Sequence, residues 1–298
     1  MKTLIVIFGL ILAGSLPASA NSGAAFLKIG AGARAAGMGG AYTAVADDAT
    51  ALYWNPAGIA GFQKKELAMT HSMHLENTAY DFLGFTMPLR NNWGAGLSVT
   101  RLGYGSIEGR GENRELTGSS SAADMAVGLS AGRRFGGFLK GGITVKYLSS
   151  EIAGITAKAV AADVGGIFTP AGSPFSFGVS VRNVGRGMKF SSQRDALPTA
   201  FSGGAVFRTG FGLGIAAEIS RLIEDKKTLF SIGSEYGLLS RFSITAGYAK
   251  RDEFGAGIGI KGFSGGFGMA LSGWRLDYAF VPYGSLGSTQ NFSLSSRF

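Results

Sequence analysis

The residues that could do chemistry in this chain are few and poorly grouped. Its two histidines, His71 and His74, stand three apart. That spacing suits one face of a helix, but 65–74 alternates as a strand does, so the two rings point to opposite faces and share no metal. Gly30-Ala31-Gly32 invites a phosphate-binding reading. No strand precedes it, no acidic residue follows in a βαβ context, and no Lys-Ser or Lys-Thr of a P-loop occurs, so these glycines predict close backbone packing. There is no nucleophile elbow, zinc motif or Ca²⁺ loop, and nothing assembles a Ser-His-Asp triad. With no cysteine in the chain, disulfide and thiol chemistry are absent. The expectation is a protein without catalytic site, cofactor or metal. What remains is a set of dispersed charges, Asp124, Glu218, Glu235 and Asp277 with Lys140, Lys146 and Arg182, whose meaning depends on the elements that carry them.

The N-terminus reads as a secretory signal. Lys2 precedes an apolar run from Leu4 to Leu16, and Ala18-Ser19-Ala20 fits the small-x-small cleavage pattern, giving a signal peptide over 1–20. The run is too short for a transmembrane helix, and Pro17 ends it. The 298 residues carry a formal charge of +9, yet the lysines and arginines sit singly, many at turns, without the basic-aromatic cluster of a nucleic-acid face. No nucleic-acid partner is expected.

From about Lys65 onward the hydrophobic pattern has period two. Met125, Val127, Leu129 and Ala131 alternate with Asp124, Ala126, Gly128 and Ser130; Phe211, Leu213, Ile215, Ala217 and Ile219 alternate with Gly212, Gly214, Ala216, Glu218 and Ser220. Alternate side chains of a strand face opposite sides. One face is therefore large and apolar, and the other is small or polar and carries the seven charges named above. Strands are expected near 65–74, 78–88, 93–103, 122–134, 137–150, 157–169, 174–184, 199–207, 211–221, 227–238, 241–251, 264–272, 274–283 and 288–298, with 252–263 ambiguous. At about ten residues they have the span of tilted transmembrane strands. Short turns, such as Arg90-Asn91-Asn92 and Ser272-Gly273, alternate with longer polar connections, notably Tyr104 to Ser121 and Gly185 to Pro198. This is the arrangement of outer-membrane barrels. The fold class expected is all-β: a transmembrane antiparallel β-barrel over 65–298, in the outer membrane of a Gram-negative-type bacterium, with lipid against its apolar face and an ion-pair network inside. The last strand, with Phe292, Leu294 and terminal Phe298 on one face, resembles the signal read by the β-barrel assembly machinery, a partner during biogenesis.

Residues 21–64 do not alternate. Asp47 or Asp48 is placed to cap a short helix through Leu52, and Asn55-Pro56-Ala57-Gly58 reads as a turn in which Pro56 fixes φ. The segment is rich in Gly and Ala, holds too little apolar bulk for a core of its own, and must pack against something. The expected partner is the lumen, with Arg34, Asp47 and Asp48 pairing with charges such as Glu218, Glu235 or Lys146.

The run Gly32-Ala33-Arg34, Gly37-Met38-Gly39-Gly40-Ala41, Asp47-Asp48-Ala49 and Trp54-Asn55-Pro56-Ala57-Gly58 closely resembles the PorV/PorQ family, which looks like a branch of the FadL-type transporters sharing the Asn-Pro-Ala-Gly element. Leu276 to Gly284 is similar to the family as well. The resemblance implies a 14-stranded barrel whose N-terminal segment folds into the lumen as a plug. It also implies an accessory role in type IX-like secretion, with secreted protein cargo or other secretion components as partners. The alternative is FadL-like passage or binding of a hydrophobic small-molecule ligand. The two longest polar connections are modest, which counts against both the large apolar hairpins of FadL-type capture and a broad cargo-grasping surface.

Overall fold

The computed structural model describes residues 22–75, 78–110, 116–190, 193–239, 241–250 and 262–298. The signal peptide expected over 1–20 and most of the ambiguous 252–263 stretch lie outside them.

The barrel strands are β1 (Glu66–Met73), β2 (Ala79–Pro88), β3 (Trp93–Arg110), β4 (Leu116–Phe135), β5 (Leu139–Ile152), β6 (Ile155–Phe168), β7 (Phe175–Gly185), β10 (Ala200–Arg208), β11 (Leu213–Leu222), β12 (Lys227–Leu238), β13 (Phe242–Lys250), β14 (Phe263–Leu271), β15 (Trp274–Pro282) and β16 (Ser288–Arg297). Among the described residues these fourteen form one closed antiparallel barrel, and β1 pairs with β16 to close it. The short strands β8 (Met188–Phe190) and β9 (Gln193–Asp195) make a separate hairpin. Closure leaves no sheet edge within the bilayer, where an unpaired N–H or C=O would find no water.

The register sorts the faces as the alternation predicts. Leu97, Leu129, Val145 and Ala162 stand opposite one another in one outer row, and Ser98, Gly128, Lys146 and Ala161 form the adjacent inner row. Outward Leu129 is 67% exposed, while inward Lys146 is 7% exposed. The large apolar face is thus the barrel's outside. Trp93, Phe135, Phe168, Phe175, Phe242 and Trp274 all sit exposed near one rim, as an interfacial aromatic girdle does. That rim carries the tight connections, for example Ser272 and Gly273, both at positive φ (48° and 87°), which a two-residue hairpin turn requires. It also carries both chain ends of the barrel, Lys65 and Phe298, which exchange backbone hydrogen bonds of 3.0 Å. By the rule that periplasmic turns are short, this rim is periplasmic and the opposite one external.

Two expected loops are corrected. Most of Tyr104–Ser121 is not loop, because β3 and β4 continue through it as a paired ribbon with register shifts at Gly103/Ser106 and Gly109/Arg110. Gly105, at φ 66°, and the serines of 119–121 break the apolar alternation without breaking the strands. The Gly185–Pro198 connection contains the β8–β9 hairpin.

Residues 22–64 form 3₁₀ turns at Ala25–Lys28 and Pro56–Gly61 and the short helices α1 (Ala33–Gly37) and α2 (Ala51–Trp54). They supply most of the buried bulk: Tyr42, Phe26, Met38, Leu52 and Ile59 are among the largest fully buried side chains, with inward Tyr80 and Leu148. The apolar core therefore lies on the inward side of the strands.

Candidate functional site

The N-terminal segment fits the barrel through glycines. An added Cβ at Gly142 would stand 2.3 Å from the Pro56 carbonyl, one at Gly178 2.4 Å from the Thr43 oxygen, and one at Gly247 2.2 Å from the Gly39 nitrogen. These are backbone atoms and cannot swing aside. Gly165 likewise leaves room for the Asn55 amide. The small inward face of the strands is thus a set of sockets shaped to this segment; Gly37 and Gly39 pack closely against Thr245 and Tyr248 from their side, while Gly40 and Gly58 pack within the segment, against Trp54 and against Ala46 and Ala51.

Arg34 of α1 is the hub of the charges. Its Nε and Nη2 donate to the two Glu235 oxygens of β12 at 2.9 and 2.5 Å, and its Nη1 reaches Asp47 at 2.5 Å and Asp48 at 3.2 Å. Tyr42 accepts from Arg34 at 2.7 Å and donates to Asp48. Asp48 also accepts from the Thr50 amide at 2.9 Å, at the start of α2. Burial alone would raise the Asp47 carboxyl, but Arg34, with Arg208 and Arg297 behind it, holds it at about 2. Arg275 bridges Glu235 (3.1 Å) and Asp277 (2.7 Å), and Arg297 pairs with Glu66 at 2.8 Å.

A second cluster lies deeper. Glu218 accepts from the backbone amides of Tyr42 (2.9 Å) and Thr43 (2.8 Å). Asn55 accepts from the Ala57 amide at 3.1 Å, fixing the Pro56 turn, and donates to Thr43, Gly166 and Val179 carbonyls. Lys146 pairs with Asp163 at 2.6 Å and donates to Asn183 at 2.7 Å. The Arg182 guanidinium lies 5.0 Å from the Tyr53 ring and 5.3 Å from that of Trp54.

The structure therefore brings together Arg34, Asp47, Asp48 and Glu235 as the sequence suggests. Glu218 instead serves backbone amides, and Lys146 pairs within the barrel wall. Asp124 accepts from Tyr104 at 2.7 Å. The Lys140 ammonium lies against Gly61. Phe292, Leu294 and Phe298 are exposed on the outside. Sequence reasoning passed over Glu66, Asp163, Arg208, Arg275 and Arg297. Strand parity was the available signal: Arg275 is two residues from Asp277 and shares its face.

Two cavities flank the segment. A periplasmic one of about 650 Å³ is lined by Arg34, Asp47, Glu66, Arg275, Asp277 and Arg297 among others. One of about 290 Å³ on the external side is lined by Leu27, Ile29, Trp54, Leu229 and Val281, with Arg182 and Glu218 at its polar part.

Fold, faces and girdle define a 14-stranded outer-membrane β-barrel. The chain belongs to the family described as "Uncharacterised protein family (UPF0164)", whose profile matches residues 18–233. A "UPF0164 protein" of Treponema pallidum (strain Nichols) is 28% identical over 184 residues, 55% of each chain. The chain thus spans about half the length of the curated relative it matches. Among solved structures, the P. putida toluene transporter TodX superposes with TM-score 0.66 at 14% identity, covering 90% of this chain and 99% of that one. The Ralstonia pickettii toluene transporter TbuX gives 0.65 at 14%, covering 90% and 98%. A Pseudomonas aeruginosa FadL homologue gives 0.60 at 11%, covering 89% and 97%. At such identities the likeness is one of fold. Of what the PorV/PorQ resemblance implies, the 14-stranded barrel is present, while the family to which the chain belongs is UPF0164.

Proposed function

We propose that this protein is a FadL-like channel or binding protein for hydrophobic small molecules, non-enzymatic, with residues 21–64 acting as a plug between two half-channels. The observation that carries the reading is the external cavity: about 290 Å³, its wall combining apolar Leu27, Ile29, Trp54, Leu229 and Val281 with polar Lys28, His74, Arg182, Asn183, Glu218 and Asn291. Small-ligand sites pair an apolar wall with polar groups that fix orientation. The fold neighbours, two toluene transporters and a monoaromatic hydrocarbon channel, support it. The secretion-accessory reading, with type IX-like cargo as partner, rests on the PorV/PorQ resemblance alone, and the comparisons favour the channel.

Trp54 is a built-in reporter. In a Trp93→Phe/Trp274→Phe background, a brominated toluene should quench Trp54 emission saturably, and toluene should compete with it. A strictly linear, non-saturable response would sink the proposal.

A further inference from the structure

We propose that residues 22–29 form a lid over the external cavity, latched to the β11–β12 turn, so that this stretch is presented at the cell surface. Periplasmic proteins reach the outer membrane from inside, so a segment preceding β1 would be expected at the periplasmic rim. Much of it is there: Pro56 and Ile59 rest on Gly142, Gly94 and Gly132 beside the short turns, and Arg34 and Asp47 line the periplasmic cavity. Its beginning lies at the opposite rim. The Gly23 amide donates to the Ala196 carbonyl at 2.8 Å, in the β9–β10 connection.

One carboxylate grips the stretch at both ends. Asp225, in the turn after β11, accepts from the Ser22 amide at 3.0 Å through one oxygen and from the Lys28 ammonium at 3.1 Å through the other. Its side chain is 7% exposed under that clasp. Between the two grips, Ala24 takes a left-handed φ of 51°, and the following turn points Phe26 and Leu27 inward, where they are 1% and 5% exposed. The Leu27 carbonyl accepts from Tyr53 at 2.9 Å. Leu27, Lys28, Ile29 and Gly30 then line the cavity beneath. The arrangement is a hinged flap: apolar underside, charged outer clasp, and a clasp partner on a turn that belongs to the barrel wall. The lid rests on the cavity's geometry, not on which molecule occupies it.

The chain has no cysteine, so single thiols can be placed at will. Ala25→Cys, at an exposed position of the flap, should react with a membrane-impermeant maleimide on intact cells. Asn91→Cys, in a periplasmic turn, should react only after the outer membrane is permeabilised. Reaction of Ala25→Cys only after permeabilisation would overturn the surface placement. For the latch, Leu27→Cys should label slowly, and adding Asp225→Asn should speed it about fivefold, the effect of losing a surface ion pair and its hydrogen bond. Leu52→Cys, buried deeper, should not respond to Asp225→Asn. An unchanged rate at Leu27→Cys would overturn the lid. Gel mobility before and after boiling reports that each variant has formed its barrel, and no step measures transport, so a failed channel reading would not mimic either outcome.

Discussion

At the scale of single residues, the inner site is a matter of matching one guanidinium to three carboxylates. Arg34 presents a planar fork to Glu235 and a third nitrogen to Asp47 and Asp48. Lysine cannot reproduce that geometry. Arg34→Ala should leave Asp48 without its cation and Glu235 with Arg275 alone, at a cost of about 3 kcal/mol for a largely buried pair. In purified protein, proteolysis within 22–64 should rise on the order of a hundredfold if cleavage requires release of the segment, with Arg34→Lys intermediate. The same hub sets a pH dependence. Asp47 titrates at about 2 when folded, below its unfolded value of about 3.9. A lowered carboxylate contributes fully above the unfolded value and loses that contribution as pH falls through the folded one. The stability difference between the wild type and Asp47→Asn should thus stay constant from neutral pH down to about 4 and shrink between about 4 and 2, as read by denaturant titrations at each pH. Arg34, Asp47 and Asp48 were legible in the sequence because they break an otherwise small and apolar run. Arg208 was not, since a residue beside a turn reads as solvated, and its 3.1 Å bond to Asp47 depends on where a distant segment docks.

At the scale of elements, alternation specifies strands and faces but not what fills the inside. The sequence places strand boundaries within a residue or two wherever large outward side chains continue, as in β5 and β12. It stops short in β3 and β4, where glycine and serine runs erase the contrast while backbone pairing persists. The socket glycines were visible only as a small face; their partners lie dozens of residues away in a non-periodic segment. Their role makes a sharp contrast testable. Gly142→Ala and Gly247→Ala should each destabilise the barrel by about 1–3 kcal/mol through overpacking. Gly137→Ala and Gly210→Ala, with nothing within 4 Å of the new carbon, should be close to neutral in denaturant titrations. On the other face, Leu129→Arg should cost about 2–4 kcal/mol if it sits near the midplane. Equal tolerance of Arg at Leu129 and at the cramped inward Gly128 would show that inside and outside had been exchanged.

At the scale of the whole molecule, a closed barrel with its apolar core within is a container, and function depends on what opens it. Removing residues 23–52, with the signal and cleavage site retained, leaves the inward glycines facing an empty channel. Planar-bilayer conductance should then rise well above that of the intact protein, and equal conductance would refute the plug. Unheated protein should migrate differently from boiled protein on a gel, since closure makes unfolding all-or-none around the ring.

The β3–β4 ribbon has a further consequence. Pairing of β3 with β2 ends at Gly103 and pairing of β4 with β5 ends at Ala122, so the ribbon beyond them stands outside the ring with both flanks unpaired. An isolated two-stranded ribbon is marginal in water, and its free flanks offer templates for another strand. A cut after Arg110 would sever the chain beyond the last pairing of β3 with β2. The two pieces should remain one barrel on an unheated gel and part only on boiling. Expressed separately, residues up to 110 and residues from 111 onward should find each other and complement, which makes this hairpin the natural place to insert a foreign peptide without cost to the pore.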